Sequence, residues 1–126
     1  MTESIKRVAV VTGASRGIGR AIAQRLARDG RHVVLVARTE SALNDVKHGI
    51  ESGGGGASVV AADISDPKAF ASAIEKIAET HGRLDILVNN AGITSYGGVV
   101  EASEEGWDRV VATNLQSVYH TCRNCL

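Results

Sequence analysis

The residues with chemical potential in this 126-residue sequence fall in two short stretches and at three single positions. The first stretch is Thr12-Gly13-Ala14-Ser15-Arg16-Gly17-Ile18-Gly19. It follows the apolar run Val8-Ala9-Val10-Val11 and opens a helical pattern of Ile18, Ile22 and Leu26. Glycines let the backbone turn sharply and approach a ligand, and a helix N-terminus supplies free N–H groups and partial positive charge. A pyrophosphate is the expected guest. A plain tight turn between strand and helix is the competing reading.

The second stretch is Asn89-Asn90-Ala91-Gly92. Its small residues allow a ligand to pass closely, and its amides can bind ribose hydroxyls or brace the neighbouring strand. Arg38 stands where the second strand ends, after Ala37. An acidic residue there would accept from an adenosine ribose and repel a 2′-phosphate. With Arg16, Arg38 instead offers two guanidiniums to a 2′-phosphate, which favours NADP over NAD. Asp63 ends the third strand and can accept from an adenine amino group while Ile64 packs on the ring. Asn114 falls in an apolar helical stripe of Trp107, Val110, Val111, Leu115, Val118 and Cys122. A buried amide must find partners or carry a penalty of roughly 1–3 kcal/mol. It is expected to hold a backbone group or an ordered water.

Positioning these residues takes alternating strands and helices. Strands are expected near Arg7–Thr12, His32–Ala37, Ser58–Ala62 and Leu84–Val88. Helices are expected to end near Arg28, Ser52 and His81, with a last helix from Ser103. Asp29-Gly30 reads as a helix end, and Asp66-Pro67 as a cap and first helical residue. Gly53 to Gly56 read as a flexible linker, since they precede a strand rather than come after one. The β-α-β-α-β-α-β-α order predicts an α/β fold, a Rossmann-type doubly wound parallel sheet of four strands in the order 3-2-1-4, with four helices. Every singled-out position except Asn114 then lies at a strand's carboxyl end, where such sheets bind ligands.

Composition sets further bounds. The chain is 44% hydrophobic and 22% charged, which fits one soluble globular domain. Fourteen basic residues balance fourteen acidic ones, so no nucleic-acid partner is expected. No apolar run reaches the roughly 18 residues of a membrane span, so no membrane partner is expected either. The polar start, Met1-Thr2-Glu3-Ser4, leads to an expectation of a cytoplasmic location without a signal peptide. No metal site is expected. Cys122 and Cys125 have redox-motif spacing but lack a strand-to-helix setting, so two unpaired helix-end cysteines are expected.

In combination these motifs resemble the short-chain dehydrogenase/reductase family. Thr12-Gly13-x-x-x-Gly17-x-Gly19 matches its glycine motif, Asp63 its adenine aspartate, Asn89-Asn90-Ala91-Gly92 its strand-four motif and Asn114 its catalytic-helix asparagine. The run from Thr12 to Ala23 and Asp85-Ile86-Leu87-Val88-Asn89-Asn90-Ala91-Gly92-Ile93 are similar to the 3-oxoacyl-[acyl-carrier-protein] reductase branch. The resemblance implies NADP(H), a carbonyl reduced by hydride transfer, an acyl-thioester or other small-molecule substrate, and a place for Asn114 in a proton relay. It implies Gly13, Ala14, Ser15, Arg16, Gly17, Ile18, Gly19, Arg38, Asp63, Ile64, Asn90, Ala91 and Gly92 as cofactor contacts.

The family's chemistry also needs a serine after a fifth strand and a Tyr-x-x-x-Lys on the next helix. Neither occurs here, and no lysine is found after Lys76. Tyr119-x-x-x-Arg123 has the spacing, but arginine does not deprotonate as lysine can. The expectation is that residues 1–126 are a truncated NADP-binding Rossmann domain, inactive alone and prone to self-association through its strand-four edge or last helix. A non-catalytic NADP(H)-binding module is the alternative.

Overall fold

The two central strands, β1 (Val8–Thr12) and β2 (His32–Ala37), are unbroken apolar runs because helices cover both faces of the sheet they build. The computed structural model describes residues 6–94 and 97–125. After β1 comes α1 (Gly17–Arg28), and after β2 comes α2 (Glu40–Ser52). Next along the chain are β3 (Gly56–Ala61), α3 (Pro67–His81) and β4 (Ile86–Val88). The chain then enters α4 (Glu104–Val111), which passes through a π-helical turn, Ala112–Gln116, into α5 (Ser117–Cys125). The sheet is parallel in the order β3-β2-β1-β4, with Val10 opposite both Val34 and Leu87.

Side-chain alternation sorts the core into two layers. Val33 and Leu35 face α1 and α2, where Ala23, Leu43, Val46 and Ile50 close over them. Val34 and Val36 face the other way, onto Phe70, Ile74 and Ile77 of α3. Phe70 is fully buried, and a buried side chain of that size contributes roughly 1.5–3 kcal/mol by burial alone.

Local signals set the helix ends. Asp66 Oδ1 accepts from the backbone N–H groups of Lys68 and Ala69 at 3.2 and 3.3 Å, and Pro67 starts α3. Gly82, at φ +71°, ends it in the left-handed region that glycine tolerates. The run Gly53–Gly56 is not a flexible linker. The N–H groups of Gly53 and Gly55 donate to Ile50 O, Gly54 N donates to Glu51 O, and Gly56 already belongs to β3. β4 is shorter than expected, because Asp85 turns its carboxylate onto the β1 backbone and accepts from Val8 N at 2.8 Å.

The last helix departs most from expectation. Its apolar stripe is not its buried face. Trp107 and Leu115 are each 68% exposed, whereas Thr113, Ser117 and Thr121 are buried. The π turn inserts an extra residue and rotates the register of α5 relative to α4. Two of these hydroxyls have acceptors: Ser117 Oγ donates to Thr113 O, and Thr121 Oγ1 has Asn89 Oδ1 at 2.6 Å and Val118 O at 3.1 Å as alternative acceptors for its one proton. Small side chains let α5 approach the end of β4 closely.

Candidate functional site

A cleft of about 780 Å³ opens along the carboxyl ends of the strands. Its floor is the turn after β1. There Thr12, buried at 1% exposure, bridges two strands through one hydroxyl. Its Oγ1 donates to Val88 O and accepts from the backbone N–H groups of Asn90 and Ala91, each at 3.0 Å. Asn90 Nδ2 then donates to Gly13 O at 3.2 Å. Of the two uses open to this amide, the structure shows bracing of the glycine turn.

The glycines are required by space and by conformation. Gly13 and Gly17 have φ of +65° and +58°. A Cβ on Gly19 would run into Gly13 O and stand 2.5 Å from Asn90 Nδ2. α1 therefore packs directly on the turn. Arg16, in extended conformation, occupies its N-cap position without a side-chain hydrogen bond. The first N–H groups of α1 are left without a side-chain cap, in a setting suited to an anion.

Gly13, Ser15, Arg16, Gly17, Ile18, Arg38, Asp63, Ile64, Asn90, Ala91 and Gly92 all line the cleft. Ala14 and Gly19 do not. Ala14 is buried in the α1–α2 core layer with its N–H on Val36 O, and Gly19 is the contact that lets α1 approach. Ile64 is 7% exposed and also belongs to the α3 layer, so only part of it faces the cleft. Asp63 Oδ1 accepts from both the N–H and hydroxyl of Ser65, at 2.9 and 2.7 Å. Those bonds, with nearby Arg38, hold its carboxyl below the usual carboxylate range.

Asn114 lies in the π turn and does not line the cleft. It is exposed rather than buried in an apolar stripe, and no desolvation argument applies to it. Its Nδ2 donates to Ile93 O at 2.7 Å and its Oδ1 accepts from Ile93 N at 2.8 Å. Both amide ends are thus spent on one backbone residue. A Cβ on Gly92 would lie 3.4 Å from the same Oδ1.

Sequence reasoning missed Thr39, Ala42, Ser65, Arg109 and Thr113 as cleft residues. Thr39 directly succeeds Arg38, and that adjacency was an available signal. Arg109 and Thr113 reach the cleft only because α4 folds back over the segment after β4. Arg16, Arg38 and Arg109 face a single lining carboxylate, Asp63, so the cleft is cationic in a chain of zero net charge. A second cavity, about 410 Å³, lies at the carboxyl ends of α1 and α2, beside Gln24, Arg28 and Gly54. Helix C-termini carry partial negative charge there, the wrong sign for a phosphate.

Residues 7–126 match the family described as short chain dehydrogenase. The chain belongs to that family. Over 113 residues the chain is 41% identical to the 3-oxoacyl-[acyl-carrier-protein] reductase FabG of Escherichia coli (strain K12), covering 90% of this chain and 45% of that one. It superimposes on a metagenomic short-chain oxidoreductase in complex with NADP with a TM-score of 0.91 and 44% identity. That match covers 94% of this chain and 54% of the other. A variant of the actinorhodin polyketide ketoreductase with NADPH matches with a TM-score of 0.94 and 34% identity, over 100% of this chain and 48% of that one. This short-chain dehydrogenase chain spans about half the length of the curated relatives it matches. Among the described residues no three His, Cys, Asp or Glu cluster as metal ligands, and no helix is long and apolar enough to cross a membrane.

Proposed function

We propose that this chain is the nucleotide-binding portion of an NADPH-dependent oxidoreductase, its residues 1–126 forming one NADP-binding Rossmann domain. The observation that carries the reading is the pairing of an uncapped α1 N-terminus with Arg16 and Arg38 on one cleft. The N–H groups after Arg16 suit a pyrophosphate, and the two guanidiniums suit a 2′-phosphate. Asp63 keeps Oδ2 for an adenine amino group, since its Oδ1 is taken by Ser65. Ile64, at the cleft edge, would lie against the ring. Ala91 and Gly92 leave room for the nicotinamide end. The bound dinucleotide would supply a hydride.

The substrate class proposed is a 3-oxoacyl thioester, reduced to the 3-hydroxy form in the building of fatty acyl chains. Identity to the Escherichia coli reductase supports this choice. Asn114 is proposed to serve the proton relay by holding the segment at Ile93, where both ends of its amide are bonded. Tyr119 is not the proton donor. Its hydroxyl is exposed and accepts from Arg123 Nη1 at 3.0 Å. This leads to a second reading, a non-catalytic NADP(H)-binding module. Self-association is proposed through the β4 edge or through Trp107, Leu115 and Val118, whose exposed apolar surface supports it. A cytoplasmic location is proposed with it.

Titrating the purified 126-residue chain with NADPH by fluorescence, then assaying acetoacetyl-thioester reduction, tests both readings. Binding without turnover is the expected result. Turnover would overturn the claim that these residues are inactive alone, and absence of binding would overturn the nucleotide assignment.

A further inference from the structure

Away from the cleft, the structure brings two thiols onto one turn of α5. Cys122 is exposed, Cys125 is half-buried, and both are free. Residues three apart on a helix have Cα atoms about 5 Å apart, inside the roughly 4.4–6.8 Å that a disulfide spans, whereas their Cβ atoms, about 5–6 Å apart, must close to roughly 3.5–4.5 Å, so closure requires the terminal turn of α5 to tighten locally. Their surroundings differ sharply. Cys125 packs against the layer of Phe70, Ile74 and Ile77, and burial pushes its thiol up to about 11. Cys122 Sγ instead accepts from Asn89 Nδ2 at 3.5 Å. Asn89 Oδ1 accepts from Thr121 Oγ1 at 2.6 Å. The exposed thiol therefore touches the segment that leaves β4 for the cleft.

We propose that Cys122 and Cys125 are a redox-modifiable dithiol that closes into an intrahelical disulfide, with a small-molecule disulfide as oxidant. The Cys122 thiolate attacks one sulfur of the oxidant. The oxidant's S–S bond breaks, one thiol leaves with a proton, and a mixed disulfide forms on Cys122. The Cys125 thiolate then attacks Cys122 Sγ and releases the second small thiol. Two protein thiols are oxidised to one disulfide while one small disulfide is reduced to two thiols. The exposed thiol captures first. The second step is slower at neutral pH, because a buried thiol is seldom deprotonated, and it quickens as pH rises. Closure draws Cys122 Sγ away from Asn89.

The test uses the 126-residue chain, shown to be folded by circular dichroism, with oxidised glutathione as probe. Intact mass is expected to show one transient glutathione, then a chain lighter than the reduced form by two hydrogens. Cys125→Ser is expected to keep the glutathione, and Cys122→Ser to stay unmodified. The Asn89 side-chain amide resonance is expected to move on closure in the wild-type chain. A persistent glutathione on wild type, disulfide-linked dimers in place of closure, equal labelling of both cysteines in the folded chain, or no reaction at all would each overturn the proposal.

Discussion

Asn114 and Ile93 are joined at two points: the amide of the first donates to the carbonyl of the second at 2.7 Å and accepts from its N–H at 2.8 Å. One side chain thereby stands in for a strand partner at the point where the backbone leaves β4. Asn114→Ala removes both bonds. The expected cost is about 1–2 kcal/mol, low in the range for hydrogen bonds because the pair is solvent-accessible. Thermal unfolding should show a lower Tm, and hydrogen exchange at Ile93 should speed up. Unchanged protection at Ile93 would show that the clamp does not order this segment.

Gly19→Ala places a methyl group against Gly13 O and Asn90 Nδ2. Backbone cannot yield there as the tip of a long side chain would, so α1 must shift from the turn. Overpacking of this kind costs about 1–3 kcal/mol. The expected outcome is a lower Tm together with loss of NADPH binding in a fluorescence titration. Gly30→Ala serves as the control. It has a positive φ of +92° but nothing within 4 Å of its added Cβ, so it should lower Tm and leave the NADPH affinity intact.

Arg38→Asp puts a carboxylate where the 2′-phosphate would sit. NADPH affinity is expected to fall at least tenfold, which corresponds to about 1.4 kcal/mol, while NADH affinity holds or rises. Equal affinity for NADPH before and after the substitution would remove Arg38 from the site.

Asp85 makes the acid limb of stability specific. Two bonds from Arg83 and one from Val8 N bring its carboxyl from 3.8 to about 2. A carboxyl that binds its proton less readily when folded stabilises the fold when ionised. That contribution is fully present above pH 3.8 and is lost as pH falls toward 2. Urea unfolding across this window should show wild type losing stability more steeply than Asp85→Asn. Parallel curves for the two proteins would show that Asp85 contributes nothing through its charge.

Most of the framework was legible because backbone demands select residue types. His32–Ala37 reads as a strand through an unbroken apolar run, and Asp66-Pro67 and Gly82 mark the ends of α3 chemically. The glycine turn was legible for the same reason, since positive φ at Gly13 and Gly17 excludes most other residues. The last helix misled because apolar periodicity was equated with burial. Thr113, Ser117 and Thr121 turn inward; the hydroxyls of Ser117 and Thr121 find acceptors within a turn or on Asn89, which periodicity does not encode. The π turn leaves no mark in hydropathy either. Arg109 was illegible as a cleft residue because its place depends on how α4 returns over the sheet.

The bare first turn of α1 has a consequence for the order of events in this domain. A helix whose opening N–H groups have no side-chain cap leaves them to water or to a ligand. An anion seated after Arg16 would act as the missing cap, so occupancy and local order become one equilibrium. Whatever fills that position also raises the melting temperature, by mass action and in proportion to how tightly it binds. Hydrogen exchange at Gly17, Ile18 and Gly19 would then report a ligand's arrival before any chemistry is asked of it.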